Sequence, residues 1–97
     1  MELRKGMLAI SKAGHDKDSW YVIQKVEGEN VFLVNGENRS MDRPKMKKRK
    51  HLQPVNKVSE ILEKKLQAGV AWTNEEVKRA LKIAFQKAFS TLAFVSG

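Results

Sequence analysis

Between Arg43 and Leu52 the chain reads Arg-Pro-Lys-Met-Lys-Lys-Arg-Lys-His-Leu, and six of the first eight residues are cationic. Guanidinium and ammonium groups at this density donate hydrogen bonds to oxyanions and carry no acceptor, so their chemistry is anion binding. Lys47, Lys48, Arg49 and Lys50 are consecutive, and neighbours in an extended backbone point to opposite faces. The charge is therefore shared between two sides. A second, smaller group, Lys12, His15 and Lys17, lies in a polar stretch containing Gly14. Together with Arg43, Lys45 and His51 these residues are the candidate binding set, and they offer many donors for phosphate oxygens but few groups that read bases. His15 and His51 stand far apart without a carboxylate cluster, Asp16 and Asp18 read as loop and turn residues, and cysteine is absent. No metal set, nucleophile with base, or phosphate-cradling glycine loop emerges, so neither catalysis nor a cofactor is expected.

A chain of 97 residues is most simply one domain with a small core. Its net charge of +8 is concentrated, because residues 39–57 hold eight basic residues against one acidic residue, a surplus of +7. Clustering of this kind marks a docking surface, and nucleic acid leads the expected partners, ahead of an anionic membrane or an acidic protein. The plainer alternative is a solvated connector whose lysines only discourage strand aggregation. Met41, Met46 and Leu52 flank the run and argue for a segment anchored to a core. The opening Met-Glu-Leu-Arg-Lys-Gly lacks the apolar run of a signal peptide, and no apolar stretch has membrane-spanning length, which points to a cytoplasmic location without a membrane partner.

Short strands must position the first part of the cationic set. Leu8 and Ile10 alternate with Ala9 and Ser11, and Trp20 to Val26 is rich in β-formers before the turn Glu27-Gly28-Glu29-Asn30. Val31 to Val34 ends at Asn35-Gly36, a hairpin signal that predicts a further strand over about Glu37 to Met41. A last strand, about Lys47 to Gln53, would carry the basic run, with Pro44 breaking the chain before it and Pro54 closing it. Roughly four or five such strands suggest a small, partly open barrel. Several of them are apolar on both faces, as with Trp20 and Val22 against Tyr21 and Ile23, so one face needs a cover from outside.

The cover is predicted downstream. Val58, Ile61, Leu62 and Leu66 recur at helical spacing, with Asn56 or Ser59 as cap and Gly69 as a left-handed stop. Thr73-Asn74-Glu75-Glu76 is a capping box, and Trp72 with Val77 fits a hydrophobic staple. The second helix has the stripe Val77, Leu81, Ala84, Phe85, Ala88 and Leu92, from which Ile83, Phe89 and Phe94 fall away at 100° per residue. The preferred expectation is that the tail covers the barrel. The rival is a partner-binding or self-association surface on Ile83, Phe89 and Phe94.

Residues 6–57 carry a resemblance. Gly6 and the strand after it, the loop Ser11-Lys12-Ala13-Gly14-His15-Asp16-Lys17, the strand from Trp20, and the Pro44-to-Leu52 segment together resemble the bacterial KOW-domain RNA-binding proteins related to ribosomal protein L14e. The resemblance implies an SH3-like barrel, assigned to residues 1–54; residues 55–97, read as helical from their own spacing, are expected to form a two-helix extension packed on it. It also implies that the loop between the first two strands contacts RNA, and that the protein is ribosome- or rRNA-associated. Similar proteins usually have glycine after the Asp-Lys of the loop, where this chain has Asp18; a positive φ there would suit Asp less well than Gly. The alternative function is a protein-interaction adaptor, with the basic segment giving only electrostatic steering.

Overall fold

The structure, a computed structural model, describes residues 2–96, with side chains described outside positions 56, 57 and 89–96. Five antiparallel strands form one curled sheet: β1 (Met7–Ser11), β2 (Trp20–Glu27), β3 (Asn30–Val34), β4 (Lys45–Lys48) and β5 (Leu52–Val58). Their order is β4-β3-β2-β1-β5, so four strands meander and the fifth returns beside the first. A single 3₁₀ turn, Arg49–His51, joins β4 to β5, and two helices follow, α1 (Glu60–Ala68) and α2 (Asn74–Ser96).

Strand alternation sorts the apolar residues into two cores. Met7, Ala9, Tyr21, Ile23, Val31, Leu33 and Leu52 meet inside the curl. Leu8, Val22 and Val34 face the other way and pack with Leu62 of α1, Trp72, and Val77 and Ala80 of α2. Strands apolar on both faces thus do receive a helical cover. The curl has a local cause: the β2–β3 register shifts between Ile23 and Lys25, and a bulge of this kind bends a strand and increases its twist. Gln24, left out of the ladder, donates from its side-chain amide to the Met41 carbonyl at 3.0 Å.

The helix signals hold. Gly69 takes the left-handed conformation (φ 70°) and its N–H closes on Leu66. Ser59 occupies the N-cap of α1 without a side-chain cap bond. At α2 the capping box forms in both directions, Glu76 N–H to Thr73 Oγ1 at 3.2 Å and Thr73 N–H to Glu76 Oε1 at 2.9 Å. Trp72 and Val77 share one cluster as the staple requires, and Trp72 Nε1 donates to the Leu62 carbonyl at 3.0 Å. Lys65 reaches across from α1 to the Glu76 carboxylate at 2.6 Å. Hydrogen bonds from Lys65 and Thr73 hold the Glu76 carboxyl below the usual carboxylate range.

Three strand expectations fail, the first being the last strand over about Lys47 to Gln53, which is divided into the end of β4, the 3₁₀ turn and the start of β5. No strand forms over 37–41, because Asn35 replaces a strand partner with its own side chain. Its Oδ1 accepts from the N–H groups of Glu37 and Arg39 at 2.9 and 3.0 Å, which closes a turn in place of a hairpin. The loop then docks on α2, where the Met41 N–H donates to Asn74 Oδ1 at 2.8 Å. Pro54 does not close the last strand but lies within β5 opposite Ala9. As β5 is an edge strand, the missing N–H can face outward, where no ladder needs it.

Candidate nucleic-acid interface

The basic run is divided between two elements. Lys45, Met46, Lys47 and Lys48 make up β4, alternating half-buried and exposed, while Arg49, Lys50 and His51 make the 3₁₀ turn. Lys45 and Lys47 point to one side and Met46 and Lys48 to the other, as the pleat dictates. Leu52 is buried and Met41 half-buried, but Met46 is 53% exposed and anchors nothing.

What the inward lysines meet is Asp16. Its carboxylate, 13% exposed, accepts from Ser11 Oγ at 2.9 Å, Tyr21 OH at 2.7 Å and Lys47 Nζ at 2.7 Å, and Lys45 Nζ lies 3.3 Å away. Lys47 Nζ also donates to the Ala13 carbonyl at 2.8 Å. Burial alone would raise the Asp16 carboxyl, but the hydrogen bonds from Lys47, Tyr21, Ser11 and Lys45 outweigh it and hold the group well below the usual range. The Tyr21 phenol is pushed up to about 12 by burial and by its bond to the Asp16 carboxylate.

This cluster fastens the β1–β2 loop to β4 across the open side of the curl. A backbone bond reinforces it, from Lys12 N–H to the His51 carbonyl at 2.8 Å. The loop with Lys12, His15 and Lys17 and the basic run therefore lie side by side, although Asp16 and Lys47 are 31 residues apart. Within the loop Asp18 has φ 75°, the only positive φ outside glycine among the described residues, and its N–H donates to the Ser11 carbonyl at 2.8 Å.

The candidate residues take different positions in this arrangement. Lys12, His15, Lys17, Arg43, Lys48 and Lys50 are exposed, and Arg49 and His51 are half-buried. Lys48 donates to Asn30 Oδ1 at 2.8 Å and Arg49 Nε to the Gly28 carbonyl at 2.9 Å, so both are oriented by neutral partners that leave their charge uncompensated. Among the described residues Lys12, Lys17, Arg43, Lys48, Arg49 and Lys50 enter no ion pair. Lys45 and Lys47 differ, since Asp16 neutralises part of their charge and the side chain of Lys47 is only 11% exposed. Tyr21 is unavailable for stacking, buried with its hydroxyl on Asp16, whereas Trp20 is half-buried with its ring edge-on to Phe85 at 5.7 Å.

Of the residues proposed for partner binding, Ile83 is 38% exposed, and Phe89 and Phe94 lie outside the described side chains. Phe85, assigned to the packed stripe, is instead 53% exposed. Asp16 is the residue that spacing did not reveal. Its one signal is a carboxylate between cationic positions, and that pattern is equally ordinary in a loop. Among the described residues no group of three or more His, Cys, Asp or Glu could hold a metal, and no helix is long and apolar enough to cross a membrane. No protein family matches the chain, and no curated protein matches it.

Proposed function

We propose that this is a non-catalytic RNA-binding protein, ribosome- or rRNA-associated, whose curled sheet is an SH3-like barrel of the KOW type. One observation carries the reading: the Asp16 cluster and the Lys12–His51 backbone bond bring the β1–β2 loop beside β4 and the 3₁₀ turn, where Lys12, Lys17, Lys48, Arg49 and Lys50 lack ion pairs among the described residues. All but Arg49 stand exposed, so the surface meets phosphate oxygens without first breaking an ion pair of its own. Structured RNA suits it better than a sequence-specific target, since the recognition is of backbone shape and charge. The return of β5 beside β1 fits the barrel topology the resemblance implies.

Co-sedimentation with ribosomal subunits and with bulk structured RNA, beside an unrelated protein of equal charge, tests the proposal. Binding above that control at moderate salt is expected, and preference for one subunit would support the ribosomal role. Binding no stronger than the control overturns it. A second reading, a protein-interaction adaptor, is favoured by the exposure of Ile83 and Phe85 on α2. It predicts capture of a protein partner that survives loss of the basic surface.

A further inference from the structure

Where the β1–β2 loop ends, at Ser19, a groove opens beside α2. Ser19 and Trp20 form one wall, Arg79, Lys82 and Ile83 of α2 the other, and the open volume between them is about 1100 Å³. Sites of roughly 300–1,000 Å³ hold a drug-sized molecule, so a nucleobase with its sugar fits with room for water. Two carboxylates, Glu37 and Glu75, also line it, and Glu75 is paired with Lys78 at 3.1 Å. Arg79 and Lys82 enter no ion pair among the described residues and stand exposed on the α2 wall. The Trp20 wall is held by packing against the helix-side core and by Phe85, whose ring it meets at an interplanar angle of 82°.

We infer that this groove takes one unpaired nucleotide of the RNA held at the cationic loop, with the base against Trp20 and Ile83 and its phosphate at Arg79 and Lys82. The inference rests on the RNA-binding reading. Paired RNA seen only through its phosphates has no use for an indole and an isoleucine in a concave site between cations. An extruded base does, since it offers a π-face to an aromatic and brings a phosphate within reach of the flanking charges. The same geometry explains why Ile83 is left uncovered by the fold: it lines a site that begins at Ser19, the end of the loop proposed to hold the RNA backbone.

Fluorescence anisotropy with two labelled RNA hairpins, identical except for one bulged uridine, tests this. The wild type is expected to bind the bulged hairpin about five- to a hundredfold more tightly, the range that one stacked base supports. Trp20→Ala should bring the ratio close to one while the paired hairpin still binds, and Trp20→Phe should keep most of it. If Trp20→Ala fails to fold, Arg79→Gln with Lys82→Gln, both on the exposed face of α2, should lower the ratio by at least about threefold. Equal affinity of the wild type for the two hairpins overturns the inference and leaves the RNA reading standing. Failure to bind either hairpin overturns both. Capture of a poly-glutamate peptide that is lost in the Arg79→Gln, Lys82→Gln variant, with no preference for the bulge, overturns it in favour of an acidic protein partner.

Discussion

Asp16 does more than any other single residue to shape the proposed interface, although it is anionic. A carboxylate 13% exposed, with two lysines, a tyrosine and a serine around it, would if removed leave the Tyr21 hydroxyl without its acceptor and Lys45 and Lys47 without their counter-charge, only Lys47 and Ser11 keeping the Ala13 carbonyl. Asp16→Asn is therefore expected to cost about 2–4 kcal/mol near neutral pH, read from denaturant unfolding. Because the folded-state carboxyl lies below its unfolded value, its contribution is complete above the ordinary Asp range and is lost as the pH falls through the folded value. The gap in midpoint between wild type and Asp16→Asn should accordingly be constant from pH 7 to about 5 and shrink below about 4. A gap that widens on acidification would contradict the assignment. Tyr21 offers an independent readout, as it is the chain's only tyrosine. Tyrosinate absorbance of the folded protein should titrate near 12 and move back toward about 10 in Asp16→Asn. As Tyr21 is raised, its own contribution is present below about pH 10 and disappears as the pH climbs through the folded value.

At the scale of elements, two loop positions decide how the surface is presented. Gly36 has φ 80°, and a Cβ there would overlap the Asn74 carbonyl oxygen and press on Lys78. The close approach lets the first turn of α2 dock on the β3–β4 loop, so Gly36→Ala should destabilise by about 2–4 kcal/mol and lower Tm by roughly 10–20 °C. Asp18 presents the opposite case, an L-residue held at φ 75° where glycine would rest without strain. Asp18→Gly is expected to raise stability by about 0.5–1 kcal/mol, seen as a gain of several degrees in Tm, and also removes a negative charge from the cationic loop. The capping box at Thr73 and the Gly69 stop were legible from the sequence, because each depends on residues within a turn of one another. The division of the basic run was not. It depends on Asn35 closing a turn with its own side chain, and on β5 running through Pro54 because only one side of an edge strand needs its N–H groups.

For the molecule as a whole, the two-faced sheet and its helical cover follow from alternation that was visible along β2 and β3. The surface at the open side of the curl does not follow from any local pattern. Lys47 carries the same charge as Lys48 and sits beside it, yet one is clamped to Asp16 and the other stands outside; the pleat sets them on opposite sides, and only the pairing across 31 residues decides which side is clamped. The distinction governs how the interface is to be probed. Reversing Lys47 would set a second carboxylate against Asp16 and unfasten the loop, confusing lost binding with lost structure. Lys12, Lys17, Lys48 and Lys50 are exposed and without ion pairs among the described residues, so their reversal is expected to leave the fold intact, at the cost of the exposed Lys48–Asn30 bond.

The most direct test is the salt dependence of binding to a structured RNA, wild type against the variant with Lys12, Lys17, Lys48 and Lys50 changed to Glu. Each phosphate contact contributes about 0.7–0.9 to the slope of log affinity against log salt. The wild type is expected to bind with a steep slope, and the variant, unchanged in its circular dichroism, to lose nearly all affinity at moderate salt with a slope shallower by about 3–4. Equal affinity and equal slope for the two proteins would contradict the claim that the loop and the basic run form one RNA-binding surface.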